Sequence, residues 1–141
     1  MLDHLREKIS TVEEDAIWNR ALGFGGDRGS GEGDAALQDM LELHGRIMNG
    51  GLLDAVETGT PEGVGAAIAG YRWMGLHEAA DAVAMVRDEV ANGALDDDEA
   101  AEALESRAND AYETAIPDDA TLDRAFRAKL RDTPSAFQRT D

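Results

Sequence analysis

The residues able to do chemistry are few, and each pattern they form fails on spacing. The glycine-rich stretch Gly23 to Gly33, GFGGDRGSGEG, is the first candidate, as a phosphate cradle. Glycines permit the tight turns and close backbone approach that phosphate binding needs. The dinucleotide fingerprint G-x-G-x-x-G fails, because Arg28 stands where a third glycine should follow Gly23 and Gly25. The P-loop fails for want of a Gly-Lys-Ser/Thr ending. A calcium loop opening at Asp27 fails too: Gly29 and Gly31 fall on ligand positions, and Gln38 stands where a bidentate Glu is required. His77-Glu78 could begin a metal pair, but no second ligand follows at i+4, where Asp81 lies on the helix flank. The Glu-x-x-His tetrapeptide of di-metal carboxylate bundles does not occur. Paired catalytic carboxylates need environments that push their pKa values apart, whereas the acids here fall on faces expected to meet solvent. His44 sits on the apolar side of its helix and reads as a structural histidine. The expectation is a protein that is not an enzyme, with no metal and no cofactor.

The elements that would position these residues are helices. Leu37, Met40, Leu41, His44, Ile47 and Met48 recur at the 3.6-residue period and mark one buried face. Asp34 is the expected N-cap of that helix, and Asn49-Gly50-Gly51 is its stop. Before it, residues 1–22 read as a helical segment, with Leu2, Leu5, Ile9, Val12, Ile17 and Leu22 inward. A fresh start at Thr11 is expected from the Thr11–Glu14 capping-box spacing. Residues 23–33 read as a flexible connection. After Gly51 comes a short helical turn, Leu52 to Val56. Thr60-Pro61 opens the next helix, which places Val64, Ile68 and Tyr71 inward and ends at Gly75. His77 to Asn92 follows, with Ala79, Val83, Val86 and Val90 as its buried stripe. Asp96 to Ile116 is the most acidic helix, with Ala101, Leu104, Ala108, Ala111 and Ala115 inward and Tyr112 beside them. The last helix spans residues 118–131, capped by Asp119 or Thr121, and Phe137 folds back on the core. The fold class is all-α: a compact single-domain bundle of six to eight helices, with its core over residues 34–137.

A helix stopped by Asn49-Gly50-Gly51, a short apolar segment, a helix holding Tyr71-Arg72 and ending at Gly75, and the close Pro134-Ser135-Ala136-Phe137 together resemble the bacterial DNA-mimic protein family. The resemblance runs from Ala35 to Phe137. It implies a small all-helical domain, in a family of largely unknown function named for a member that imitates DNA toward a DNA-binding regulator. The chain departs from the family after the Gly-Gly pair. Aromatics and an Asn are usual there, and this chain has Leu52, Val56 and Thr58.

Composition bounds the rest. At 141 residues one domain is expected, able to bury about two thirds of its unfolded surface. The chain is 43% hydrophobic but only 5% aromatic, so Ala, Leu and Val must fill the core. Thirty acids against 13 Lys and Arg give a net charge of −17, which repels nucleic-acid phosphate and anionic membranes. With no Cys there is no disulfide or thiol chemistry, as fits a reducing cytoplasm. No signal peptide or membrane-spanning run is visible. From Asp96 to Asp119 the chain carries ten acids and one base, Arg107. Acids at a helix start are favoured by the helix dipole, so Asp96-Asp97-Asp98-Glu99 has a structural reason to exist. The basic run Arg124, Arg127, Lys129 and Arg131 offers intramolecular partners for the acidic helix.

The function these features favour is a non-catalytic acidic binding protein. Its expected docking residues are Asp81, Asp88, Glu89, Asp96, Asp97, Asp98, Glu99, Glu102, Glu105, Asp110 and Glu113. The expected partner is a basic protein and, if the resemblance holds, a DNA-binding one that is drawn away from DNA. Two other readings remain open: an inhibitor capping a basic toxin or nuclease, and acidity that serves solvation alone. Acids clustered on one face favour a partner, and acids spread evenly favour solvation.

Overall fold

The computed structural model describes residues 10–24 and 28–140. The expected helical positions Leu2, Leu5 and Ile9, and the centre of the glycine-rich stretch, lie outside the described residues. Among the described residues, seven α-helices follow one another: α1 (Thr11–Ala21), α2 (Glu32–Gly50), α3 (Leu52–Thr58), α4 (Pro61–Trp73), α5 (His77–Ala91), α6 (Asp98–Ala115) and α7 (Asp119–Asp132). Short 3-10 turns at Ala94–Asp96 and Pro134–Ala136 complete the chain, with no strand among the described residues. No helix of the described residues is long and apolar enough to cross a membrane.

The spine is the pair α2–α4. Leu37, Met40, Leu41 and Ile47 of α2 are buried, as are Val64, Ile68 and Tyr71 of α4. Gly70 lets the two backbones approach closely, since a Cβ there would stand 2.6 Å from the Ala36 carbonyl oxygen. Gly65 has no such role, because its missing side chain faces open space. α5 packs on α4, α6 packs on α5, and α3 fills the corner against α2, α5 and α6. The Asn49-Gly50-Gly51 stop is an elbow shared by two helices. Gly51 closes α2 and opens α3 at φ 93° and ψ 164°, a backbone conformation that glycine alone adopts without strain. α7 and the tail close the remaining side through Leu122, Phe126, Leu130 and Phe137, all buried. Phe126 meets Trp18 at 5.6 Å between ring centroids, and Phe137 meets Trp73 at 5.7 Å. Both tryptophans are half-buried packing residues.

Several expectations shift when the helices are assembled. α1 does start at Thr11, but Ser10 is the cap, its hydroxyl accepting from the Glu13 amide. Val12 is 78% exposed and Leu22 is also exposed, while Glu13 and Glu14 turn inward to meet arginines from elsewhere in the chain. α2 begins at Glu32, so Asp34 lies inside the first turn, where its carboxylate reaches back to accept from the Gly31 amide. Met48, placed inward by periodicity, is exposed beyond the last turn of packing. α7 is capped by Asp118, which accepts from the Thr121 amide, rather than by Asp119 or Thr121.

The end of the glycine-rich stretch is no loose linker. Gly33 lies in α2, and a Cβ there would meet the Phe137 ring at 2.6 Å. Ser30 donates through both its amide and its hydroxyl to the Gln138 side-chain oxygen. Here glycines serve to admit the returning C-terminal tail.

Candidate functional site

α6 is the rib of the acidic side. Asp97 caps it, accepting from the Ala100 amide at 2.9 Å, and Asp98 and Glu99 occupy its first turn. Asp96 belongs to the preceding 3-10 turn, so the four-acid run is divided among a turn, a cap and a helix start. Each member past the turn is placed where the positive end of the helix dipole favours it. Leu104, Ala108 and Tyr112 form the buried line of α6. At 100° per residue the acids Asp98, Glu99, Glu102, Glu105, Asp110 and Glu113 fall within an arc of roughly 140° opposite Leu104, with Glu105 at its edge beside Tyr112. All six are exposed.

The neighbouring helices add to this rib on both sides. A shallow depression between α5 and α6 is lined by Glu78, Asp81 and Asp110 together with Ala82 and Met85. A groove between α3 and α6 gathers Glu57, Asp98, Glu102 and Glu105 beside Leu53 and Leu95. The structure thus brings Asp81 and Asp110 together, and Asp98, Glu102 and Glu105 together. Asp88 and Glu89 lie toward the end of α5 beside arginines: Arg87 lies 3.0 Å from Asp88, and Arg107 lies 3.9 Å from Glu89. Asp81 faces Arg72 at 3.0 Å. Asp96, Asp97, Asp98, Glu99, Glu102, Glu105, Asp110 and Glu113 take part in no ion pair among the described residues. Glu57 and Glu78 were missed in the sequence because their place beside α6 depends on how three helices dock.

Arg127 and Arg131 of α7, and Arg139 of the tail, are engaged away from α6. Arg127 of α7 contacts Glu14, Asp15 and Asp123 at 3.2, 2.8 and 3.0 Å. Arg131 approaches Glu14 at 3.5 Å, and Arg139 forks onto Glu13 through two hydrogen bonds of 2.6 and 2.8 Å. The Arg139 guanidinium holds the Glu13 carboxyl below its usual range, against the opposing effect of burial. Arg20 bonds to the buried Asp34 and to the Gln138 carbonyl, each at 2.7 Å. Lys129 lies over the Trp73 ring, 4.6 Å from its centroid. The expected pairing of the basic helix is therefore present, but with α1 and with its own Asp123 rather than with α6.

One further group of polar residues sits where α2, α6 and α7 meet. His44 Nδ1 lies 2.7 Å from the Tyr112 hydroxyl, and its Nε2 lies 2.9 Å from Asp119 Oδ1. Tyr112 is hydrogen-bonded in turn to the hydroxyl of the fully buried Tyr71. Proton counting fixes the direction of this chain. Tyr71 has no acceptor among the described residues other than the Tyr112 oxygen. Tyr71 therefore donates to Tyr112, Tyr112 donates to Nδ1, and Nε2–H donates to the Asp119 carboxylate. Any other arrangement leaves a buried hydroxyl hydrogen unpaired or turns a ring lone pair toward a carboxylate. Burial pushes the phenol pKa values of both tyrosines well up, so neither ionises near neutrality. With both ring nitrogens engaged, His44 joins α2 to α6 and α7.

Asn49 and Gly50 are exposed, and Gly51 is the elbow between α2 and α3. Asn109 of α6 packs on Gly51, and its side-chain oxygen accepts from the Leu52 amide at 3.4 Å. Among the described residues, no group of three or more His, Cys, Asp or Glu is arranged to hold a metal ion.

No curated protein matches the chain, and no solved structure does. The family described as DMP19-like protein matches residues 32–139. That span begins with the first residue of α2, takes in every helix through α7 and ends in the tail that closes the core. The chain belongs to the DMP19-like protein family.

Proposed function

We propose that this protein is a non-catalytic acidic binding protein that offers its α6 side to a basic DNA-binding protein and competes with DNA for it. The observation that supports this reading is the asymmetry of charge. Six exposed acids of α6 share one arc, while Arg127, Arg131 and Arg139 are spent on carboxylates of α1 and α7. α6 has 18 residues, a length of about 27 Å along which duplex DNA would present about sixteen charges. α6 alone carries six, and Asp81, Asp96, Asp97, Glu57 and Glu78 stand beside it. That density suits electrostatic steering of a positively charged cleft. The family's name is consistent with a DNA-mimic role.

The test is capture from a lysate of the source cells at low and at high salt, read by mass spectrometry. The expected result is one or a few DNA-binding proteins, released by salt and by added duplex DNA, and lost when Glu99, Glu102 and Glu105 are changed to Gln. A salt-resistant toxin or nuclease would replace this reading with that of an inhibitor. Recovery of nothing beyond generic basic proteins would overturn both.

A further inference from the structure

A hollow of about 240 Å³ opens beside the His44 joint, between the end of α2, the end of α6 and the start of α7. It is small against the roughly 300–1,000 Å³ of pockets that enclose whole drug-sized ligands, and suits one long side chain. Its walls are of two kinds. Ile47, Met48, Ile116 and Pro117 supply apolar surface, and Met48 is 67% exposed although it is a large apolar side chain. Glu113, Asp118 and Asp119 supply carboxylates.

Hydrogen-bond accounting decides what such a hollow can take. The floor residues His44 and Tyr112 spend their protons inside the protein, on Asp119 and on His44 respectively. One oxygen of Asp118 caps α7, and one oxygen of Asp119 accepts from His44. The Asp119 side chain is still 81% exposed, so its second oxygen meets solvent. Glu113 has no partner among the described residues. Pro117 has no amide to give to the end of α6, whose last turn also lacks a basic residue. The hollow is therefore rich in acceptors, with the Asn109 amide as the one side-chain donor at its rim left free.

We infer that this hollow receives an arginine side chain of the basic partner, a reading that deepens the proposed function and rests on it for the identity of the partner. Apolar walls suit the methylene stem. A planar guanidinium with five donors can lie against Met48 and Pro117 while bonding to carboxylates on two different helices, which a compact ammonium does less well. Binding there would fix where on the acidic side the partner docks, a register that α6 alone, with its repeated exposed acids, does not define.

The test uses the whole protein and short peptides, so it does not depend on finding the partner. An acetylated, amidated tripeptide with a central Arg is titrated at low salt, with a Lys peptide and a citrulline peptide beside it. NMR signals of the His44 ring, the Met48 methyl and the amides of α6 are followed. The expected result is saturable change centred on His44 and Met48, at least threefold weaker for Lys and absent for citrulline. Glu113→Gln, at an exposed position, should weaken the Arg peptide several-fold, and Asp119→Asn, which can still accept from His44, should do the same. Shifts spread evenly over Glu99, Glu102 and Glu105, or an equal response to Lys, would overturn the assignment. Hollow-centred binding together with failure of the lysate capture would discard the DNA-binding partner and keep the arginine site.

Discussion

Glu14 on α1 and Glu102 on α6 are the same residue type on helices of one small protein, and their surroundings differ in every respect. Glu14 is 4% exposed and lies within reach of Arg127 and Arg131. Glu102 is exposed at a groove it shares with Glu57, Asp98 and Glu105. At the pole built from α1, α7 and the tail, carboxylates are buried and arginines from distant parts of the sequence come to them. On α6 itself, Asp98, Glu99, Glu102, Glu105, Asp110 and Glu113 stay in water and take part in no ion pair among the described residues. The difference teaches that the net charge of −17 is unevenly placed. Three arginines, Arg127, Arg131 and Arg139, converge on the carboxylates of α1 and α7, and none of them reaches the acids of α6.

The comparison breaks first at Arg127. If the pole is a clamp, Arg127→Met should lower unfolding free energy by about 3 kcal/mol in urea denaturation, because Glu14 is left buried without its nearest cation. A loss below about 1 kcal/mol would place this pair with ordinary surface ion pairs and dissolve the contrast.

The joint where the two regions meet comes next. Tyr112→Phe removes the donor to His44 and the acceptor of the buried Tyr71 hydroxyl at once, so it should cost about 2 kcal/mol. Tyr71→Phe leaves the Tyr112-to-His44 bond intact and should cost about 1 kcal/mol. The same denaturation series checks both. Equal losses, or the reverse order, would contradict the place of Tyr112 as the middle of the chain.

The smallest effect is expected on the acidic flank, and with opposite sign. Changing Glu102 and Glu105 together to Gln removes mutual repulsion and no ion pair, and leaves the dipole-favoured Glu99 in place, so stability at low salt should rise by about 0.5 kcal/mol. The gain should fade as salt screens the wild-type charges. A substantial loss instead would mean that these acids hold the fold and are not free for a partner.

Helices were legible in the sequence wherever an apolar period met a firm stop. α2 carries its stripe from Leu37 to Ile47 and ends at Gly50, and α4 opens at Thr60-Pro61 as its residues dictate. The acids of α6 were legible as an outward face because Leu104, Ala108 and Tyr112 mark the inner one. Periodicity misled where burial was electrostatic: Val12 was expected inward, yet Glu13 and Glu14 took the buried positions. A hydrophobic pattern carries no information about an arginine more than a hundred residues away. The same limit hid Glu57 and Glu78 beside α6, and Asp118 and Asp119 beside Glu113.

By itself the sequence determined that the chain would be helical, where most helices would begin and end, and that it would carry a large negative surplus. Those properties arise from neighbours within a few residues, through capping, propensity and the 3.6-residue period. Only the tertiary structure decided which acids are neutralised, which stand together beside α6, and that His44, Tyr112, Tyr71 and Asp119 form one directed chain. These depend on docking α1, α2, α4, α6 and α7 against one another. Long-range contacts of that kind are chosen by the packing of the whole core, to which each local stretch contributes only part.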